Sequence, residues 1–170
     1  MAIRHNPSSM RIQGRTPIEL KAPASSIKLN FHKINNIDDP EILLASLQKL
    51  LQESTLPSLV EIGLANCPAC QEAQESLEEI VTKNQGLNII TVNLDALSEE
   101  DRVIFMEKFK AENRKPGLPT IRFFHAGTTT ALTEKHLVSN TWLGREHLEK
   151  AIKNYLPGAL RTAQGAIHAT

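Results

Sequence analysis

The chain predicts an α/β fold: a mixed central sheet of about five strands with helices on both faces, its elements in the order βαβαβαββα. Two observations carry that expectation. Short apolar runs rich in β-branched residues recur between residues 27 and 138, and each of the first three is followed by a segment with helical spacing. Strand and helix signals that alternate in this way give parallel strands joined by crossover helices. The last two strand signals meet at the turn pair Ala126-Gly127, which suits an antiparallel hairpin into residues 129–138.

The elements follow in order. Ile27 to Ile34 alternates, with Ile27, Leu29 and Phe31 on one face. Asp38 and Asp39 precede Pro40, an N-cap followed by a first-turn proline. The helix that follows gathers Leu43, Leu47, Leu50 and Leu51 on one side. Residues 58–64 read as a buried strand. The next helix turns Ala73, Leu77, Ile80 and Val81 inward and Glu72, Glu75 and Glu79 outward, and Gly86 is expected to end it. Asn88–Leu94 is a strand. Ser98 and Asp101 resemble a capping box ahead of a helix that holds Val103, Ile104, Phe105, Met106 and Phe109 and stops near Asn113, before Pro116-Gly117. Thr120–Phe124 is a strand, and a last helix runs from about Leu143 to Tyr155, stopped by Pro157-Gly158.

With 170 residues, 41% of them hydrophobic, the chain can bury one core. The fold is expected over residues 27–156, between a flexible basic N-terminal extension (1–26) and a flexible C-terminal tail (157–170). Arg4, Arg11, Arg15, Lys21, Lys28 and Lys33 face only Glu19 within residues 1–33, a balance that also fits an organelle transit segment. The formal net charge is zero, which offers nucleic acid or an anionic membrane no attraction to the whole molecule. No stretch approaches the roughly 18 apolar residues of a membrane span, and the N-terminus lacks a secretory apolar core. The expected location is therefore cytoplasmic, in a reducing compartment where a dithiol persists.

The chemistry concentrates at Cys67-Pro68-Ala69-Cys70, which holds both cysteines of the chain. The pair stands where a strand gives way to a helix. Its sulfurs are close enough to join, and the first sits where free helix N–H groups and the positive dipole end favour a thiolate. A mononuclear zinc site wants about four ligands. None of His5, His32, His125, His136, His147 and His168 stands at ligand spacing from the pair, and a metal shared between subunits would need a dimer. The expected redox group is the dithiol itself, with no cofactor and no metal. Cys67 is the expected nucleophile and Cys70, in the first turn, the resolving thiol. Pro68 suits the first helical position. Glu61 lies six residues before Cys67 in a strand buried on both faces, so its carboxyl should be desolvated and able to exchange a proton with Cys70.

Three motifs now combine: C-P-A-C at 67–70, Gly117-Leu118-Pro119-Thr120 opening a strand, and Phe123-Phe124-His125-Ala126-Gly127 leading into the hairpin. In this order and at these separations they resemble the thioredoxin superfamily, over roughly residues 27–156. The resemblance implies a thioredoxin-like fold. It also implies that Pro119 is a cis-proline beside the dithiol, where a backbone edge receives the substrate peptide. Asn66, Pro68, Ala69, Leu118 and Pro119 are then the expected substrate-binding residues, and Glu61 takes the place of the family's proton-carrying acid.

The departures are specific. Asn66 stands where the family usually has tryptophan, and the only tryptophan is Trp142. Pro-Ala replaces the usual central dipeptides, Glu75 replaces a helix-kinking proline, and Thr91 replaces a lysine common on the central strand. These changes bear on substrate and redox potential more than on fold. The implied function is a thiol–disulfide oxidoreductase that reduces protein disulfides, fed by a thioredoxin-reductase-like or glutathione electron donor. Two alternatives stand beside it: a redox-inactive thioredoxin-fold binding or chaperone module, and a glutaredoxin-like protein that uses glutathione or holds an iron–sulfur cluster.

Overall fold

The computed structural model describes residues 30–109, 117–132, 137–138 and 144–161. The expectations for residues 1–26, Ile27 and Leu29, the helix end near Asn113, and Trp142 fall outside them. The elements are β1 (Phe31–Ile34), α1 (Pro40–Glu53), β2 (Ser58–Gly63), α2 (Pro68–Lys83), β3 (Asn88–Asn93), α3 (Glu99–Phe109), β4 (Thr120–Phe124), β5 (Leu137–Val138) and α4 (Arg145–Tyr155). The order is the one the sequence implies. Among the described residues no helix is long and apolar enough to cross a membrane.

The sheet runs β1-β3-β2-β4-β5. β3 pairs in parallel with β1 and β2, while β4 is antiparallel to both β2 and β5. Its topology decides where the helices go. From β1 the chain steps across the sheet to β2, then returns to β3 between them. Right-handed crossovers in opposite directions must pass over opposite faces, so α1 and α2 lie on different sides.

Two cores result. Leu59, Ile89, Ile121 and Phe123 point to the side covered by Ala73, Leu77 and Ile80 of α2 and by Leu148 and Ile152 of α4. Val60, Ile62, Ile90, Val92 and Phe124 point to the other, against Leu43, Leu47 and Leu51 of α1 and Phe105 of α3. The alternation along β2 is the two-residue period of a strand covered on both faces.

Local signals account for the helix ends. Asp39 caps α1, its side chain accepting N–H bonds from Glu41 at 2.8 Å and Ile42 at 3.0 Å. Ser98 accepts from the Asp101 N–H at 3.1 Å, but the Asp101 carboxylate turns to the Ser98 hydroxyl instead of completing a reciprocal box. Along α3 only Phe105 is fully buried and Val103 is exposed, because four consecutive apolar residues cannot share one helical face.

Two boundaries differ from expectation. Gly86 lies beyond α2, which ends at Lys83 with Asn84 as its cap. A Cβ at Gly86 would come within 2.5 Å of the Ala159 carbonyl oxygen, so close backbone approach explains the glycine. The partner in that contact belongs to the segment expected as a tail. Ala159 is buried in the core and the Arg161 carbonyl accepts the Gln85 N–H at 3.2 Å, so residues 157–161 pack as part of the domain.

Candidate active site

β2 delivers the site. Its last residues lead through Leu64-Ala65-Asn66 into α2, for which Cys67 is the N-cap and Pro68 the first helical residue. A proline there forfeits only an N–H that the helix would leave unpaired. The approach loop is tied at Ala65, whose N–H donates to Asp95 Oδ2 at 2.9 Å and whose carbonyl accepts from the Gln71 amide at 2.6 Å.

Cys67 and Cys70 form a disulfide with their Cα atoms 5.1 Å apart, within the ordinary range for such a bond. The two sulfurs meet different surroundings. Cys70 is fully buried, whereas Cys67 is half-buried on the outer side of the turn. Cys67 Sγ accepts the Cys70 backbone N–H at 3.2 Å, one of the unpaired donors that open every helix. It faces the positive end of α2, whose first turn holds no acidic residue to oppose that field.

The antiparallel pairing of β2 with β4 supplies the other wall. Ile62 stands opposite Thr120, so the residues that enter β4 lie beside the residues that leave β2. The Leu118 carbonyl oxygen is 3.9 Å from Cys67 Sγ, and the Leu118–Pro119 peptide bond is cis. Asn66 and Pro68 are exposed, Ala69 and Leu118 half-buried, and Pro119 buried. The structure thus brings Leu118 to the outer sulfur, where Asn66, Pro68 and Ala69 adjoin Cys67 along the chain, with the buried Pro119 next to Leu118. His125 is exposed at the far end of β4.

Glu61 lies under the helix. It has no exposed surface, which rules out a glutamate that reaches solvent at a strand edge. Gln74 donates to Oε2 at 3.2 Å, and Oε1 has no protein hydrogen-bond partner among the described residues. Burial pushes the Glu61 carboxyl up to about 8, although the Gln74 bond works the other way by favouring the charged form. In register, Glu61 is flanked by Thr91 on β3 and Ile121 on β4.

Gly63 shows how near the carboxyl comes to the inner sulfur. A Cβ on Gly63 would lie 2.6 Å from Glu61 Oε1 and 2.9 Å from Cys70 Sγ. The two atoms are therefore separated by no more than the sum of those distances, and only glycine leaves them that shared space. One bridging water would span such a gap.

Gly63 and Gln74 went unread in the sequence. Gln74 carries a signal in hindsight, since it lies one helical turn beyond Cys70 on the inward side of α2. Gly63 carries none, because what it avoids is a contact between two other elements.

No protein-family model and no curated protein sequence matches the chain. Solved structures do. A thioredoxin from Trichomonas vaginalis superposes with a TM-score of 0.52 at 17% identity, covering 74% of this chain and 97% of its own. A mutant thioredoxin from Halobacterium salinarum gives 0.51 at 13% identity over 74% of this chain and 90% of its own. Thioredoxin f2 from Chlamydomonas reinhardtii gives 0.50 at 14% identity over 75% and 97%. At these identities the shared property is architecture, and that architecture is the thioredoxin fold.

Proposed function

We propose that this protein is a thiol–disulfide oxidoreductase that reduces protein disulfides with the Cys67–Cys70 pair. One observation carries the reading: two paired sulfurs at a helix N-terminus, the outer one accessible and the inner one buried beside a carboxyl with an unpartnered oxygen. A bond made only to hold the fold together has no use for that asymmetry. A bond that opens and closes does.

In the reduced protein, the Cys67 thiolate attacks one sulfur of the substrate disulfide. A Cys67–substrate bond forms, the substrate S–S bond breaks, and the first substrate thiolate leaves and takes a proton from water. The Glu61 carboxylate takes the proton of Cys70, directly or through one water. The Cys70 thiolate then attacks Cys67 Sγ, the protein disulfide forms, and the second substrate thiolate departs. Two electrons have passed from the dithiol to the substrate, and an external thiol or dithiol donor must return them. Asn66, Pro68, Ala69 and Leu118 form the surface that meets the chain around the substrate disulfide, with the buried Pro119 behind it and polar backbone groups at Leu118.

Pre-reduced full-length protein mixed with insulin tests this. Insulin disulfides should open in a single turnover. Cys67→Ser should abolish the reaction, and Cys70→Ser should accumulate a mixed disulfide through Cys67. Failure of the reduced protein to open insulin disulfides, or a mixed disulfide carried by Cys70 instead, overturns the reading.

A further inference from the structure

The carboxyl of Glu61 has two oxygens in unequal positions, and the inequality originates on α2. Gln74 stands four residues after Cys70, one turn along the same face. Its amide donates to Glu61 Oε2 at 3.2 Å. The other oxygen, Oε1, has no hydrogen bond and borders the space above Gly63 that Cys70 Sγ also borders. The terminal torsion of a glutamate is broad and roughly two-fold. Holding one oxygen therefore fixes the direction of the other.

We propose that Gln74 is a positioning residue: it holds Oε2 so that Oε1 faces Cys70, and it stabilises the carboxylate that accepts the Cys70 proton. This rests on the proton transfer proposed above. Among the described residues, those beside the carboxyl are Gly63 of its own strand, Thr91 from β3, Ile121 from β4, and Cys70 and Gln74 from α2. None of them is charged, and Cys70 is the single one that titrates once reduced. A neutral amide thus supplies the hydrogen bond that opposes burial. Because Gln74 is itself half-buried and not sealed in the core, its side chain can be exchanged without opening a cavity.

The test separates Gln74 from Glu61. In the oxidised full-length protein, where neither cysteine titrates, the Glu61 carboxyl can be followed by carbon-13 NMR against pH. Gln74→Met has similar length and no donor, and it should raise the midpoint by about one pH unit, which lowers the ionised fraction at pH 7 about tenfold. Gln74→Lys brings a charged donor and should move the midpoint down. The pH limb of single-turnover insulin reduction should shift with each variant in the same direction. Opposite shifts from two substitutions at one site are not what loss of packing produces. A midpoint and a limb that stay in place in both variants overturn the role of Gln74. If Glu61→Gln still removes the limb in that case, the proton transfer itself stands. A limb that survives in Glu61→Gln overturns the proton transfer, and the role of Gln74 with it.

Discussion

Glu61 and Arg122 are ionisable side chains buried on opposite faces of the same sheet, and they are satisfied to different degrees. Arg122 pairs with Val60 and Glu61 with Ile121, so the pleat sends one toward α1 and α3 and the other toward α2. The Arg122 guanidinium donates to the Phe109 carbonyl and stacks over the Phe109 ring, 4.7 Å from its centroid. Glu61 keeps one oxygen without a protein partner among the described residues. A guanidinium cannot shed its charge, so burial obliges the fold to pair it. A carboxyl can take up a proton, and burial drives it to do so. The bare polar atom is tolerated where the group can change its protonation state, and that is where the cysteines stand.

The largest effect that bears on this contrast is the pH dependence of stability. The unfolded chain ionises Glu61 near 4.5, whereas the folded chain keeps the proton until about pH 8. The unfolded state therefore binds fewer protons across that window, and stability falls as pH rises from about 4.5 to 8. At about 1.4 kcal/mol for each pH unit, the oxidised protein should lose roughly 4 kcal/mol over this range. Glu61→Gln should abolish the loss, so that the variant is the more stable of the two at pH 8. Chemical denaturation of both proteins at pH 5 and pH 8 checks it, and parallel curves would break the contrast.

Next in size is Arg122→Met, which strips the donor from the Phe109 carbonyl and removes the guanidinium from the Phe109 ring. It should destabilise the fold by about 2–3 kcal/mol. The decrement should be the same at pH 5 and pH 8, because the group removed does not titrate. A decrement that changes with pH would tie the two faces together electrically.

The smallest is Gly63→Ala. The added methyl would meet Glu61 Oε1, Cys70 Cβ and Cys70 Sγ, all within 2.9 Å. Overpacking of this kind should remove about 1–2 kcal/mol. The pH limb of insulin reduction should weaken as well, since the carboxyl and the sulfur are forced apart. Wild-type stability with an intact limb would mean that the close approach is not needed.

The fold was legible because each element announces itself locally. Asp39-Pro40, the leucines of α1 and the apolar runs of β2 and β3 all act within a few residues of one another. Cys67, Cys70 and Glu61 were legible for a related reason: their spacing along one strand–helix junction fixes their separation. What stayed hidden depends on elements meeting across the sheet. Arg122 reads as an ordinary strand arginine until α3 brings the Phe109 ring over it. Gly86 reads as a helix stop until the chain beyond α4 returns and presses Ala159 against it. Gln74 sits among polar helix residues of similar character, and its place one turn beyond Cys70 gains meaning only once Glu61 is buried beneath α2.

The unequal exposure of the two sulfurs has a kinetic corollary for the proposed exchange. Cys70 is sealed in the core, so every partner from outside must engage Cys67. A substrate to be reduced and the donor that restores the dithiol thus compete for one atom from one side. They cannot be held at the sulfur together, and turnover must alternate between them in ping-pong fashion. Excess of either partner in its unproductive redox state would then occupy the shared entrance and slow the other.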